Sequence, residues 1–239
     1  LETCGLAGNT IVVVYSDHGM EFFEHDTWGQ GNSAVGEASP RIPLVIRDPR
    51  LAPKGKIDQV VRSIDLMPTL LDLAGQPSAT AMDGVSLAEC LTGNHACPEL
   101  DAFNETGIWI ADIPGLPDDH LRYPDLLELM EAPDRASGTL AIKPEYCEAI
   151  LVAKDRMIRR GRWKLVYQPL ETGHVLQLFD LASDPACMHN VLAQQAEIAQ
   201  SLWQQLGEWM KREERVSTLG GQMHLYTEDA PNIRRHPHP

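Results

Sequence analysis

The residues best suited to chemistry stand together near the start of the chain, in Val14-Tyr15-Ser16-Asp17-His18-Gly19. An aspartate offers a hard anionic oxygen and a histidine a neutral nitrogen, so Asp17 and His18 form a candidate ligand pair for one divalent cation. Adjacent side chains inside a strand point to opposite faces. They converge on one ion only where the chain leaves the strand and turns, which Gly19 permits directly behind them. Taken alone, the dipeptide also reads as a plain strand-to-loop transition with Asp17 capping a turn. Further along, His25 lies in Glu21-Phe22-Phe23-Glu24-His25-Asp26. An imidazole suits proton transfer, and equally a surface loop where Glu24 or Asp26 hydrogen-bonds it. Arg41 is either a cation that orients an anion or the ion-pair partner of Glu37. Trp28 either shapes a pocket or packs under the loop.

These residues need a frame. Ligands of open α/β sheets bind beyond the carboxyl ends of strands, and Asp17 follows directly on Ile-Val-Val-Val-Tyr at residues 11–15. That continuous β-branched run predicts a strand buried on both faces, as in a parallel sheet. A second apolar run covers residues 42–46, with Pro43 confined to a strand start or an edge. Residues 64–75 follow a helical stripe, with Asp65 as N-cap, Pro68 in the first turn and Gly75 at the C-terminal end. Residues 76–136 are rich in proline and acids and read as loops and insertions, with a short helical stretch near 125–130. From about 145 the texture changes. Residues 149–152, 157–160, 163–167 and 177–180 read as short strands, with Gly161-Arg162 as a tight hairpin turn. A helix over about 190–212 carries Leu192, Ile198, Leu202, Leu206, Trp209 and Met210 on one face.

Composition narrows the classes. The 239 residues are 43% hydrophobic and 23% charged, ordinary for a globular protein. With 20 Lys and Arg against 34 Asp and Glu, the net charge is −14. That argues against a general nucleic-acid binder, which needs clustered cations, but leaves room for an anionic substrate at a metal. No apolar run is long enough to span a membrane. The five cysteines form no Cys-x-x-Cys, so zinc-ribbon and thioredoxin-like readings are weak, and free thiols are expected. The strand pattern arrives almost at once after Leu1, as in a chain that starts inside a longer protein, so the compartment stays open.

Several segments, in order, resemble the sulfatase family of the alkaline phosphatase superfamily. They are Ser16-Asp17-His18-Gly19 after its strand, Arg41-Ile42-Pro43-Leu44-Val45-Ile46, Asp65 with Pro68-Thr69-Leu70-Leu71-Asp72-Leu73-Ala74-Gly75, and Asp83-Gly84-Val85-Ser86-Leu87. Near the end come Arg162-Trp163-Lys164-Leu165-Val166-Tyr167, Leu178-Phe179-Asp180-Leu181, Asp184-Pro185 and Asn190-Val191-Leu192. The resemblance leaves out roughly residues 88–145. It departs from the family's pattern at Ala186, Cys187 and Met188, where an acid is usual, and at Gln30 and Asn32, near which the family places a Lys or His that binds the substrate anion. The family's nucleophile motif, Cys/Ser-x-Pro/Ala-x-Arg, occurs nowhere in the chain.

The resemblance implies an α/β fold. Residues 1–145 would form the end of an alkaline-phosphatase-like, mostly parallel sheet domain flanked by helices. Residues 146–239 would form a small antiparallel sheet with a packed helix and a tail. It implies metal-dependent hydrolysis of a small-molecule or carbohydrate sulfate ester. Asp17 and His18 would be metal ligands, His25 a catalytic residue, and Gln30, Asn32 and Arg41 substrate-binding residues. Calcium is the family's common ion, but histidine is unusual for it, so manganese, magnesium or zinc stay open. The formylglycine nucleophile would lie upstream. A phosphodiesterase or phosphonate monoester hydrolase of the same superfamily, or a non-catalytic partner subunit, are the competing readings.

Overall fold

The computed structural model describes residues 1–31, 33–52, 55–77, 80–92, 96–108 and 116–211. In chain order the strands are β1 (Val12–Tyr15), β2 (Glu21–Phe22), β3 (Trp28–Gly29), β4 (Leu44–Arg47), β5 (Asp101–Glu105), β6 (Met130–Asp134), β7 (Thr139–Ile142), β8 (Arg156–Arg160), β9 (Trp163–Leu170) and β10 (Gly173–Asp180). The helices are α1 (Leu66–Leu73), α2 (Ala88–Thr92), α3 (Leu126–Leu129), α4 (Pro144–Ala153) and α5 (Ala196–Met210). The chain is mixed α/β, and none of these helices is long and apolar enough to cross a membrane. Two compact units interleave along it: Leu1–Asp17, Ile42–Ala102 and Arg159–Gly161 form one, and His18–Arg41, Phe103–Ile158 and Arg162 onward form the other. The sequence reading cuts the chain once, near residue 145.

In the first unit, β1 pairs antiparallel with β4, Val13 opposite Ile46 and Tyr15 opposite Leu44. This corrects the reading of β1 as a strand buried in a parallel sheet: Val14 and Tyr15 are more than half exposed. Asp65 takes the expected N-cap position of α1, but its side chain makes no capping bond to that helix. Instead it is fully buried and accepts from Arg62 N–H (3.0 Å), the Arg62 guanidinium (2.7 Å) and Val85 N–H (3.0 Å). The 83–87 segment is thereby fastened to the entry of α1. Gly84 completes the fit, because a Cβ there would lie 1.9 Å from Ile64 O.

Strands β10, β9, β8 and β5 form a four-stranded sheet in that order. Gly161-Arg162 joins β8 to β9, and β9–β10 is a long antiparallel hairpin with Trp163 opposite Asp180. The alternation of β9 sorts its side chains onto two faces. Leu165 and Tyr167 join Ile158 and Leu178 beneath Leu202, Leu206 and Trp209 of α5, and Phe103 of β5 stacks on Trp209 at 4.9 Å. Val166 falls in a second cluster with Met157, Phe179, Cys187 and Ala34. One face of the sheet is therefore covered by a helix and the other by the loop around Ala34. That double cover explains why nearly all of β9 is buried.

Three expectations fail here. Residues 149–152 lie in α4, not in a strand. The last helix starts at Ala196 rather than near 190. The 76–136 stretch, read as loops, contributes β5 to the sheet and β6 to a hairpin with β7. None of the five cysteines is joined in a disulfide; Cys90 and Cys187 are buried and Cys4 is exposed.

Candidate functional site

Ser16, Asp17 and His18 carry the chain off the carboxyl end of β1. Ser16 Oγ donates to Asp17 Oδ1 at 3.4 Å, and the Asp17 carboxylate is exposed. His18 Nδ1 lies 2.9 Å from Gly19 O. A carbonyl only accepts, so Nδ1 carries the hydrogen, and Nε2 of the neutral ring holds the lone pair a metal requires. The turn behind the pair admits glycine alone. Gly19 N–H donates to Ser39 O at 2.8 Å, and a Cβ would lie 1.9 Å from Ala38 O.

From His18 the chain enters the β2–β3 hairpin, where Phe22 pairs with Trp28 and Glu21 with Gly29. Its tip holds three non-glycine residues in the left-handed region: Phe23 (φ 72°), His25 (φ 54°) and Asp26 (φ 58°). Phe23 N–H donates to Thr27 O at 2.8 Å, and Glu24 accepts the Phe22 N–H. His25 is used as an anchor. Its Nε2 donates to Ala186 O at 2.7 Å, and its ring fills the space beside Gly36, where a Cβ would lie 2.8 Å from Cδ2. The hydrogen bond thus goes to a distant backbone carbonyl rather than to Glu24 or Asp26.

Gln30 and Arg41 are exposed; Asn32 lies outside the described residues. Arg41 N–H donates to Glu37 O at 3.1 Å. The Glu37 carboxylate reaches a residue that the sequence reading missed: Lys164, fully buried on β9, donates to Glu37 Oε1 at 3.0 Å and to Gly36 O at 2.6 Å. A cation at an inward position of an apolar strand was the available signal, since such a charge needs a specific acceptor. Lys164 pins the 33–41 loop, between Gln30 and Arg41, to the sheet.

Glu21 is the second missed residue. It is buried, and neither carboxylate oxygen has a hydrogen-bond partner among the described residues. Burial pushes it from the ordinary 4.5 up to about 7, with Glu24 adding to the rise while Thr27, Ser33 and Lys164 oppose it. Below 4.5 the carboxyl is neutral in both folded and unfolded states. As pH rises toward 7 only the unfolded chain ionises, so stability is lost across that window and the loss levels off above it. At about 1.36 kcal/mol per unit, the loss reaches at most roughly 3 kcal/mol. Glu21→Gln should remove this dependence. Urea unfolding at pH 4 and pH 8 should show the variant gaining about 2 kcal/mol on the parent between the two conditions; an equal difference at both would mean the carboxylate ionises in place.

Among the described residues no three His, Cys, Asp or Glu side chains converge as a cation site.

The Sulfatase family model matches residues 1–76. Similar curated proteins include arylsulfatase K of Canis lupus familiaris, 28% identical over 210 residues, and of Homo sapiens, 27% identical over 210 residues; each alignment covers 86% of this chain and 32% of the relative. The chain thus spans about a third of the length of the curated relatives it matches. Among solved structures, one in complex with its substrate D-glucosamine-2-N,6-O-disulfate is similar at TM-score 0.59 and 24% identity, over 88% of this chain and 36% of that one. A phosphonate monoester hydrolase from Silicibacter pomeroyi is similar at TM-score 0.58 and 26% identity, over 90% and 37%. The matched segment contains β1, the Asp17-His18-Gly19 turn and α1, and the similarity to the arylsulfatase relatives extends over most of the chain.

Proposed function

We propose that this chain is a portion of a divalent-metal-dependent sulfuric ester hydrolase, contributing part of the metal site and the loops around it. The observation that carries the reading is the turn at the end of β1. There Asp17 presents an exposed carboxylate, and Gly19 O fixes the His18 tautomer that leaves Nε2 as donor. Asp17 and His18 would hold the ion; calcium is the first choice, with manganese, magnesium and zinc open because of the histidine. When bound, the ion supplies Lewis-acid polarisation of the ester oxygens. Gln30, Asn32 and Arg41 would orient the anion, with Arg41 supplying the positive charge that neutral Gln30 and Asn32 do not. His25 holds the hairpin through Ala186 O, and Lys164 holds the 33–41 loop. The nucleophile, a formylglycine, would come from sequence outside these 239 residues, which lack the motif.

A second reading, phosphonate monoester hydrolysis, is favoured by the 26% identity to such an enzyme over 90% of the chain. The test compares the full-length protein with this chain alone on an aryl sulfate and on a phenyl phosphonate monoester, with and without a chelator. The proposal expects higher kcat/KM on the sulfate, loss with chelator, and background rates from the chain alone, because a polarised ester without a positioned nucleophile forfeits the proximity advantage. Preference for the phosphonate would install the second reading. Turnover by the chain alone would refute an external nucleophile.

A further inference from the structure

We propose that Lys164 is a positioning residue, which sets the place of the His18–Gly19 turn by gripping residues 36–39. Its side chain is fully buried on β9, on the strand face it shares with Val166. Val166 packs there with Ala34, and Val35 lies against the same cluster. The Lys164 ammonium donates to Gly36 O at 2.6 Å and to Glu37 Oε1 at 3.0 Å, across 128 and 127 positions of sequence. The next two residues of the loop meet the turn. Ser39 O accepts the Gly19 N–H at 2.8 Å, and a Cβ on Gly19 would lie 1.9 Å from Ala38 O. Gly19 O in turn accepts from His18 Nδ1 at 2.9 Å. The orientation of the imidazole therefore stands at the end of a chain of contacts that begins at Lys164.

The same four residues serve the rest of the site. Buried Ser39 accepts the Gly31 N–H on its Oγ at 2.6 Å, directly after Gln30. Glu37 O accepts the Arg41 N–H at 3.1 Å. Gly36 also meets the His25 ring, where a Cβ would lie 2.8 Å from Cδ2. All of these residues belong to the second unit.

A buried charge is a costly fastening. Taking an ammonium out of water is unfavourable, and a buried ion pair often stabilises no better than well-packed apolar side chains of its size. What it adds is direction. Its donors must meet acceptors at hydrogen-bond distance, which fixes one register where methyl groups would tolerate several. Stability alone does not call for a lysine at this place; a loop that must keep the His18 ring in one geometry does. That His18 binds a metal rests on the proposed function; that Lys164 holds the turn does not.

The test uses the full-length protein and two readouts. Hydrogen exchange followed by mass spectrometry reads the turn without any metal. In Lys164→Met the Gly19 and Gly31 amides should exchange about tenfold faster, while that of Leu206, in the core on α5, stays within about twofold. Calorimetric titration with Mn²⁺ reads the site, and its Kd should rise about tenfold, as for a lost outer-sphere partner. Glu37→Gln keeps an acceptor for the ammonium and should hold both readouts within about threefold. Lys164→Met combined with Glu37→Leu removes both charges. It should recover the unfolding midpoint of the parent but not the Mn²⁺ affinity, whereas a merely structural lysine would recover both. Gly19 and Leu206 speeding up together, or Gly19 not changing, overturns the positioning role. So does an unchanged Kd in a protein whose Mn²⁺ binding is lost in His18→Ala. Faster exchange at Gly19 in a protein that binds no Mn²⁺, or binds it equally well as His18→Ala, keeps the positioning role and removes the metal reading.

Discussion

Replacing Asp17 with Ala in the full-length protein is expected to lower kcat/KM for an aryl sulfate by roughly 10²–10⁴-fold, the several kcal/mol that a Lewis acid contributes to charge stabilisation. The effect should be chemical rather than structural. Asp17 is exposed at the end of β1, so its truncation opens no cavity. The unfolding midpoint should stay within the small range of surface substitutions, about 0.5 kcal/mol. Added calcium or manganese should restore part of the rate, because a lost ligand weakens affinity without removing His18. Asp17→Asn, which keeps an oxygen but not the charge, should fall between. An Asp17→Ala protein of full activity would remove Asp17 from the metal site. A rate loss matched by lost stability would make it a structural residue instead.

The largest effect on stability is expected at Asp65. Asp65→Ala leaves the Arg62 guanidinium without its carboxylate, and strips two backbone N–H groups, those of Arg62 and Val85, of their acceptor. Arg62 keeps its bond to Asp101 O at 3.3 Å, which limits the damage. Breaking a buried pair by removing one partner costs about 3–5 kcal/mol, and that is the expected loss in urea unfolding of the full-length protein. Asp65→Asn keeps one acceptor oxygen and should lose about half as much. A loss below about 1 kcal/mol for the alanine variant would mean that the 83–87 segment is held by other contacts.

How much of this was legible depends on whether a residue's partners were local. The Gly161-Arg162 turn and the apolar runs on either side of it announced the β8–β9–β10 core, because turn chemistry and alternation are short-range signals. α1 was readable from its stripe and from Gly75. The role of Asp65 was not, since its acceptor oxygens serve Val85 across a loop. Residues 149–152 read as a strand because a short apolar run does not distinguish strand from helix; Pro144 at the first helical position was the overlooked cue. β5 is Asp-Ala-Phe-Asn-Glu, with one large apolar side chain, and gave no strand signal. At the site, Ser16 to Gly19 stood out because strand end, ligand types and glycine coincide. Lys164 and Glu21 did not, because their roles come from burial against segments distant in the chain. His25 was noticed for its titration range; its hydrogen bond to Ala186 O is a contact no local pattern could supply.

The cysteine thiols bear on how the chain opens. Cys90 lies in the first unit and Cys187 in the second; both are almost wholly buried, whereas Cys4 is exposed. A thiol shielded from solvent reacts only when the structure around it opens, and its labelling rate reports the free energy of that opening. The molecule therefore carries an internal clock for each unit, with Cys4 as a reference that labels at once. Mass spectrometry of alkylated peptides at increasing urea would time the two units separately. One common rate at Cys90 and Cys187 would mean that they melt as a single cooperative body, and two rates would rank their local stabilities without any engineered probe.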